Sequence, residues 1–419
     1  MTAPPVTAPP VSAATAAVVI CAYTEERWDD LSASIDSVTE QRPAPAEVIV
    51  VIDHNDALLD RLVLARPEIT VVANAHGRGL SGARNTGVET ARAEVVVFLD
   101  DDARARPGWL AALTAPFADP TVMGAGGSVQ PAWAGPAPAW LPPAFLWVVG
   151  CSYEGLPTET AQVRNPIGAS MAFRRSCLTE IGGFTERLGR VGRNTSGCEE
   201  TELCIRASHR WPDRRHVYVP GAVVDHHVPE TRSRWDYFVR RCYSEGQSKA
   251  LVATMVGAGD GLRAERSHAA RVLPRTIGRS GRQAVETRRL TPLGASVAVG
   301  VGVAAVGAGL TVGSLRLRSD AASTGTARTG GDYRPVCVLD HRIGRPFPAV
   351  PSADPEGRPY HRALVLVRAG SQPVGMVAVD LDVHRNGAAV EAAVLAEAAP
   401  ALDRLALDGE AARRGLVGA

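Results

Sequence analysis

Apolar residues along the first hundred positions fall into two alternating patterns. Val18 to Cys21, Val48 to Ile52, Ile69 to Val72 and Val95 to Leu99 are short runs rich in β-branched side chains. Such runs, without polar alternation, suit strands buried on both faces of a parallel sheet. Between the first two, Trp28, Leu31, Ile35 and Val38 recur at helical spacing until Pro43 stops them. A helix-like segment ending at Arg66-Pro67 follows the second run, and another, reaching about Arg92, follows the third. Strands and helices alternating at this pitch predict a doubly wound α/β sheet.

Ligands of such sheets bind beyond the carboxyl ends of the strands. Three of these ends are polar: Tyr23 to Glu25, Asp53 to Asp56 and Asp100 to Asp102. Along an extended chain Asp100 and Asp102 point to one side and Asp101 to the other. Three adjacent carboxylates repel one another unless a hard divalent cation takes their oxygens. The plain alternative is a solvated acidic turn. The loop Gly77/Gly79/Gly82 precedes the third helix rather than following the first strand, so it is no dinucleotide fingerprint.

Further along, a short helix after Trp109 leads to a strand near Val122. Residues 131–143, rich in proline and containing Trp133 and Trp140, read as an irregular loop over a site. Cys198-Glu199-Glu200-Thr201-Glu202 opens a helix. Acids in a first turn complement the macrodipole, and one of them is equally a candidate general base. Ala222, Val224 and His226 alternate onto one face of a strand, which puts His226 at a strand end as either a structural residue or a metal ligand.

Composition narrows the classes. The chain has 419 residues and a net charge of +1, so nothing global points to nucleic acid. Of 45 basic residues only Lys249 is lysine, so single arginines are weak phosphate signals. The seven cysteines show no zinc or redox spacing and read as reduced packing residues in a cytosolic compartment. Residues 1–16 lack the basic and apolar regions of a signal peptide and read as a disordered leader.

From about Ala17 to Ala253 the ordered motifs resemble a family 2 glycosyltransferase of the GT-A fold, inverting and non-processive. Cys21-Ala22-Tyr23-Thr24-Glu25 stands where that family has its opening turn, without the usual proline and asparagine. The resemblance assigns Ala22, Tyr23, Glu25, Asp53, Arg84, Asp100 and Asp101 to the donor and Asp102 and His226 to a divalent metal, Mn²⁺ or Mg²⁺. Gly82-Ala83-Arg84-Asn85 matches an element near the diphosphate. Glu199-Glu200 resembles the Glu-Asp pair whose second member is the catalytic base, with Glu200 in the place of the commoner Asp. Ser233-Arg234-Trp235 resembles an element near the acceptor or diphosphate, with Glu199 counted beside it. Glu230 to Trp235 lacks the Gln of processive synthases, which favours single-sugar transfer.

The resemblance thus implies a GT-A (Rossmann-like) α/β domain over 17–255. It implies a nucleotide-sugar donor, UDP-sugar ahead of GDP- or dTDP-sugar, and a glycan or lipid-linked acceptor in cell-envelope synthesis. A nucleotidyltransferase, or a non-catalytic nucleotide-sugar-binding scaffold, are the competing readings. Residues 256–292 form a basic helical segment. Residues 293–313 carry no charge over 21 positions but include six glycines, and read either as a transmembrane or interfacial helix or as a buried soluble one. A linker is expected over 314–333 and a small α+β domain over 334–419. Since nucleotide sugars are cytosolic, the expected location is the cytoplasm, at the inner face of the membrane.

Overall fold

The computed structural model describes residues 14–186, 188–189, 197–257, 263–323, 336–353, 357, 359–369, 372–381, 383 and 387–399. The chain divides into two compact units, Met1–Thr324 and Gly325–Ala419. Most of the expected leader, up to residue 13, lies outside the described residues.

The first unit runs β1 (Ala16–Ala22), α1 (Trp28–Thr39), β2 (Glu47–Ile52), α2 (Asp56–Ala65), β3 (Thr70–Ala73), α3 (Leu80–Thr90), β4 (Val95–Asp100), β5 (Ala103–Ala105) and α4 (Trp109–Thr114). It continues through β6 (Val122–Trp133), β7 (Ala161–Val163), β8 (Ser170–Arg174), α5 (Arg175–Glu180), α6 (Glu199–Arg210), β9 (Arg215–Val228), α7 (Trp235–Val256), α8 (Arg263–Arg271), α9 (Leu273–Thr287) and α10 (Leu293–Ser323). The sheet order is β3-β2-β1-β4-β8-β6-β9-β5, with β7 against β9. This mixed α/β sheet agrees with the fold that the resemblance implies.

Strands β3, β2, β1 and β4 are parallel, and their register sets Cys21 beside both Val51 and Asp100. The carboxyl ends of β1, β2 and β4 therefore lie on one rim. One face of the sheet buries Leu31, Ile35 and Val38 of α1 and Leu58 and Leu62 of α2. The other buries Ala83 and Val88 of α3 and Leu203 and Cys204 of α6. Helix α3 is buried almost all round, which its small residues permit: a Cβ on Gly87 would run into Val19. Asn55 caps α2 by accepting the Leu58 amide at 3.1 Å.

The basic segment and the uncharged segment belong to this same unit. Helix α10 continues ten residues beyond 313, so the expected linker starts later than the composition implies. Leu315-Arg316-Leu317-Arg318 are strong helix formers and carry the helix onward; residues 324–335 lie outside the described residues. Helix α10 packs along α7 through glycines. A Cβ on Gly309 would strike the Tyr243 carbonyl, and one on Gly246 the Val306 carbonyl.

In the second unit β10 (Val336–Arg342) pairs parallel with β11 (Arg362–Ala369), which pairs antiparallel with β12 (Gln372–Asp380). Residues 387–399 form a helix, α11. Alternate strand residues Leu339, Val365, Val367 and Val379 pack with Val390, Val394 and Ala398 of α11. Such period-2 burial on one face is the signature of a sheet with a single covered side.

Candidate active site

The apolar run of β4 is buried, and its end delivers the three acids to the rim. Asp100 is partly exposed, whereas Asp101 and Asp102 are buried. The next strand, β5, pairs with β9 and sets Ala103 opposite His226. That register brings the His226 imidazole to Asp102, Nε2 to Oδ1 at 3.1 Å. The His227 amide also donates to the Asp102 carbonyl at 2.7 Å. Gly150, at φ +84, lies against the His226 ring, where a Cβ would come within 3.3 Å. Cys151 Sγ lies 3.7 Å from its Nδ1.

Asp100, Asp102 and His226 each offer one donor atom, all within 4.8 Å of one another. Two carboxylate oxygens and an imidazole nitrogen form a donor set that fits Mg²⁺ or Mn²⁺. Asp100, expected on the donor side, thus groups with Asp102 and His226 as well.

Two arginines balance the acids. Arg27 Nη1 lies 2.9 Å from Asp101 Oδ1 and 3.1 Å from Asp102 Oδ2. Arg232 Nη2 lies 3.7 Å from Asp102 Oδ2, and its Nη1 is buried without a hydrogen-bond partner. Burial alone would push the Asp102 carboxyl up, but His226, Arg27 and Arg232 outweigh it and hold the group well below the usual carboxylate range. Asp101 goes the other way, pushed up to about 7 by burial and the neighbouring Asp102 charge. Sequence reasoning singled out neither Arg27 nor Arg232. The one available signal was that buried adjacent acids require cations, and an arginine-rich chain does not say which.

Helix α6 brings the second acidic pair. Glu199 Oε1 accepts from Arg84 Nη1 at 2.7 Å, and Arg84 Nη2 donates to the Gly168 carbonyl at 3.1 Å and lies 3.5 Å from Asp100 Oδ1. Arg84 is itself buried, so its guanidinium braces α6 against the end of β4. Removing one partner of a buried pair leaves an uncompensated charge, which costs ~3–5 kcal/mol. Arg84→Met is accordingly expected to lower unfolding stability by about that amount, measured by urea denaturation. Among the described residues Glu200 has no such partner. Burial, with the adjacent Glu199 charge, pushes its carboxyl up to about 7.

The remaining predicted residues divide. Ala22 is buried at the end of β1, Tyr23 is exposed with the Arg27 guanidinium 5.7 Å from its ring centre, and Glu25 is exposed in the following turn. Asp53 ties its rim to the glycine loop, accepting from Asn74 Nδ2 at 2.7 Å and the Gly79 amide at 2.9 Å, with His54 Nδ1 at 2.8 Å. Arg234 is largely exposed and bonds Asp236 at 3.1 Å rather than an acid of the rim. Trp235 packs edge-to-face with Trp140, ring centres 4.6 Å apart, and lies against Phe238 at 5.4 Å. The proline-rich loop therefore anchors its tryptophan on the start of α7.

Beneath α6, Lys249 of α7 is buried between Glu265 at 2.6 Å and Glu245 at 3.4 Å. Glu245 also pairs with Arg241, and Glu265 with Arg164. The two glutamates are pulled down to about 2; burial opposes this, and the surrounding cations outweigh it.

Residues 17–182 match the family described as Glycosyl transferase family 2. The chain is 32% identical over 239 residues to a glucosyl-dolichyl phosphate glucuronosyltransferase of Haloferax volcanii, covering 56% of this chain and 76% of that protein. It is 29% identical over 219 residues to a pre-mycofactocin glycosyltransferase of Mycobacterium tuberculosis, covering 48% of this chain and 42% of that one. Among solved structures, a mannosyltransferase of Pyrobaculum calidifontis in complex with GDP-Man and Mn²⁺ superposes with a TM-score of 0.43 at 19% identity, covering 77% of this chain and 84% of that one.

Proposed function

Because the chain belongs to glycosyl transferase family 2 and is an enzyme of the glycosyltransferase class, we propose that it moves a single sugar from a nucleotide-sugar donor to an acceptor hydroxyl, with inversion and with a divalent metal. Family membership sets aside the nucleotidyltransferase and scaffold readings. The observation that carries the mechanism is the convergence of Asp100, Asp102 and His226 on one point, beside Arg27 and Arg232.

Asp102 and His226, joined by Asp100, would hold the metal, which would supply positive charge to the diphosphate leaving group. Arg232, with a buried and unpaired Nη1, donates to a diphosphate oxygen as charge develops there. Glu200 takes the proton of the acceptor hydroxyl as that oxygen attacks the anomeric carbon. Attack from the face opposite the diphosphate inverts the centre. Ala22, Tyr23, Glu25 and Asp53 line the nucleoside side, and Arg84 holds Glu199 and the end of β4 in place. The named activity of the archaeal relative supports a lipid-linked acceptor, hence a role in cell-envelope glycan or glycolipid synthesis at the inner face of the membrane.

Isothermal titration of the full chain with UDP, GDP and dTDP, with and without Mn²⁺, tests this reading. Metal-dependent binding of one nucleoside diphosphate is expected, UDP first. Binding indifferent to the metal, or no binding by the folded chain, would remove the basis of the proposed site.

A further inference from the structure

We propose that the outer surface of α9 and α10 docks the enzyme on an anionic lipid bilayer, with α10 lying along the membrane surface rather than crossing it. The inference deepens the reading of a lipid-linked acceptor and rests on it for its purpose, and the experiment below separates the failure of one from the failure of the other.

By length α10 could span. At ~1.5 Å per residue it exceeds the ~30 Å hydrocarbon core, and no charge falls between Leu293 and Leu315. Its packing argues otherwise. The face carrying Gly302, Gly309 and Gly313 is closed onto the catalytic unit: a Cβ on Gly302 would lie 2.5 Å from Phe145, one on Gly313 2.9 Å from Ala250, and one on Gly309 would strike the Tyr243 carbonyl. Helix α7 presents Arg241, Glu245 and Lys249 to the buried ion network. For α10 to cross, it would have to leave α7 or draw those charges towards hydrocarbon, which is costly.

The rest of α10 is open. Only 22% of its most apolar window is buried, and Val297, Val303 and Leu315 are about half exposed. Helix α9 buries Leu273, Thr276 and Ser280, and exposes Ile277 and Val285 eight residues apart. An amphipathic helix with apolar and arginine positions facing outward lies in an interface plane. Charge selects the occupant. Residues 266–318 hold nine arginines and one carboxylate, Glu286; Arg279 is paired with Glu154 at 2.8 Å, and the excess of the others is complementary to anionic headgroups. A second copy would bring the same arginines against these.

The surface also leads to the site. Gly294, at the start of α10, lies against Trp140, where a Cβ would come within 3.2 Å, and Trp140 packs edge-to-face with Trp235. Tryptophans favour the headgroup level. Trp235 follows by three residues Arg232, which faces Asp102. An acceptor held in the bilayer surface would thus enter past these rings.

The experiment uses the full chain with phosphatidylcholine vesicles, with and without phosphatidylglycerol, in a co-sedimentation assay. Protease access to N- and C-terminal tags is then read on sealed inner-membrane vesicles. Binding is expected to need phosphatidylglycerol and to weaken with salt. The double change Ile277→Asp with Val285→Asp, and separately Val303→Asp, should each weaken it by ~10-fold or more, while Leu64→Asp on α2 leaves it unchanged. Both tags should be cut from the same side. Binding unaffected by the α9 and α10 changes, tags on opposite sides, or self-association that these changes abolish without any vesicle binding would each overturn the proposal. Donor hydrolysis is followed in every variant. Its persistence when vesicle binding fails leaves the transferase reading standing, and its absence from a vesicle-bound wild-type chain removes that reading alone.

Discussion

Glu200→Gln is expected to lower turnover by ~10²–10⁴-fold, the range for loss of a general base, with little change in affinity for the nucleoside diphosphate. Glutamine keeps the size of the side chain and removes only its ability to take a proton. Because burial and Glu199 push the Glu200 carboxyl up to about 7, the wild-type rate should climb with pH through that value and level off above it. The variant's residual rate should lose this step. A stability effect of opposite sense follows. The folded Glu200 holds its proton to higher pH than the unfolded chain does, so its contribution to stability is present below ~4.5 and declines as pH rises through about 7. At pH 8 the Gln variant is therefore expected to melt at a higher temperature than the wild type while turning over far more slowly. Full activity in the variant, or an unchanged pH profile, would show that another group takes the proton.

Asp102→Asn should be at least as damaging. The carboxylate is the centre of the charge balance: His226 lies at 3.1 Å, Arg27 at 3.1 Å and Arg232 at 3.7 Å. Its loss removes a proposed metal ligand, takes from Arg232 the anion it faces and leaves Arg27 with Asp101 alone. A fall of at least ~10²–10³-fold is expected, with Mn²⁺-dependent binding of the nucleoside diphosphate abolished in calorimetry. Asp101→Asn is the internal comparison. Its carboxylate faces Arg27 and is not grouped with His226, so it should retain metal-dependent binding. Equal metal dependence in wild type and Asp102→Asn would count decisively against the assignment.

The two halves of this site were not equally legible. Strand β4 and its acids stood out because a strand buried on both faces reads as an unbroken apolar run, and three adjacent carboxylates are conspicuous beside it. His226 was visible through alternation along β9. The glycine loop and the Glu199-Glu200 pair carried the family resemblance, but nothing in sequence says that Arg84 is spent on Glu199 rather than turned outward. That is a matter of which acid folding brings within reach. Arg27 and Arg232 were hidden by the same logic, each one arginine among forty-four. Arg234 and Trp235 attracted notice by likeness; in the fold one bonds Asp236 and the other packs edge-to-face with Trp140. The extent of α10 was understated because the segment was ended with its uncharged run, whereas Leu315 to Arg318 are strong helix formers that carry it onward; its glycines are what allows the helix to approach α7.

The burial of Lys249 makes the chain nearly blank to lysine-directed chemistry. Its side-chain amine is the only one in the sequence, and it is sealed between Glu265 and Glu245. Reductive methylation or an amine-reactive dye should therefore spare residue 249 in the native protein and modify it only when α7 and α8 part. Mass spectrometry of a single arginine-bounded peptide then becomes a clock for that opening, with no engineered label required.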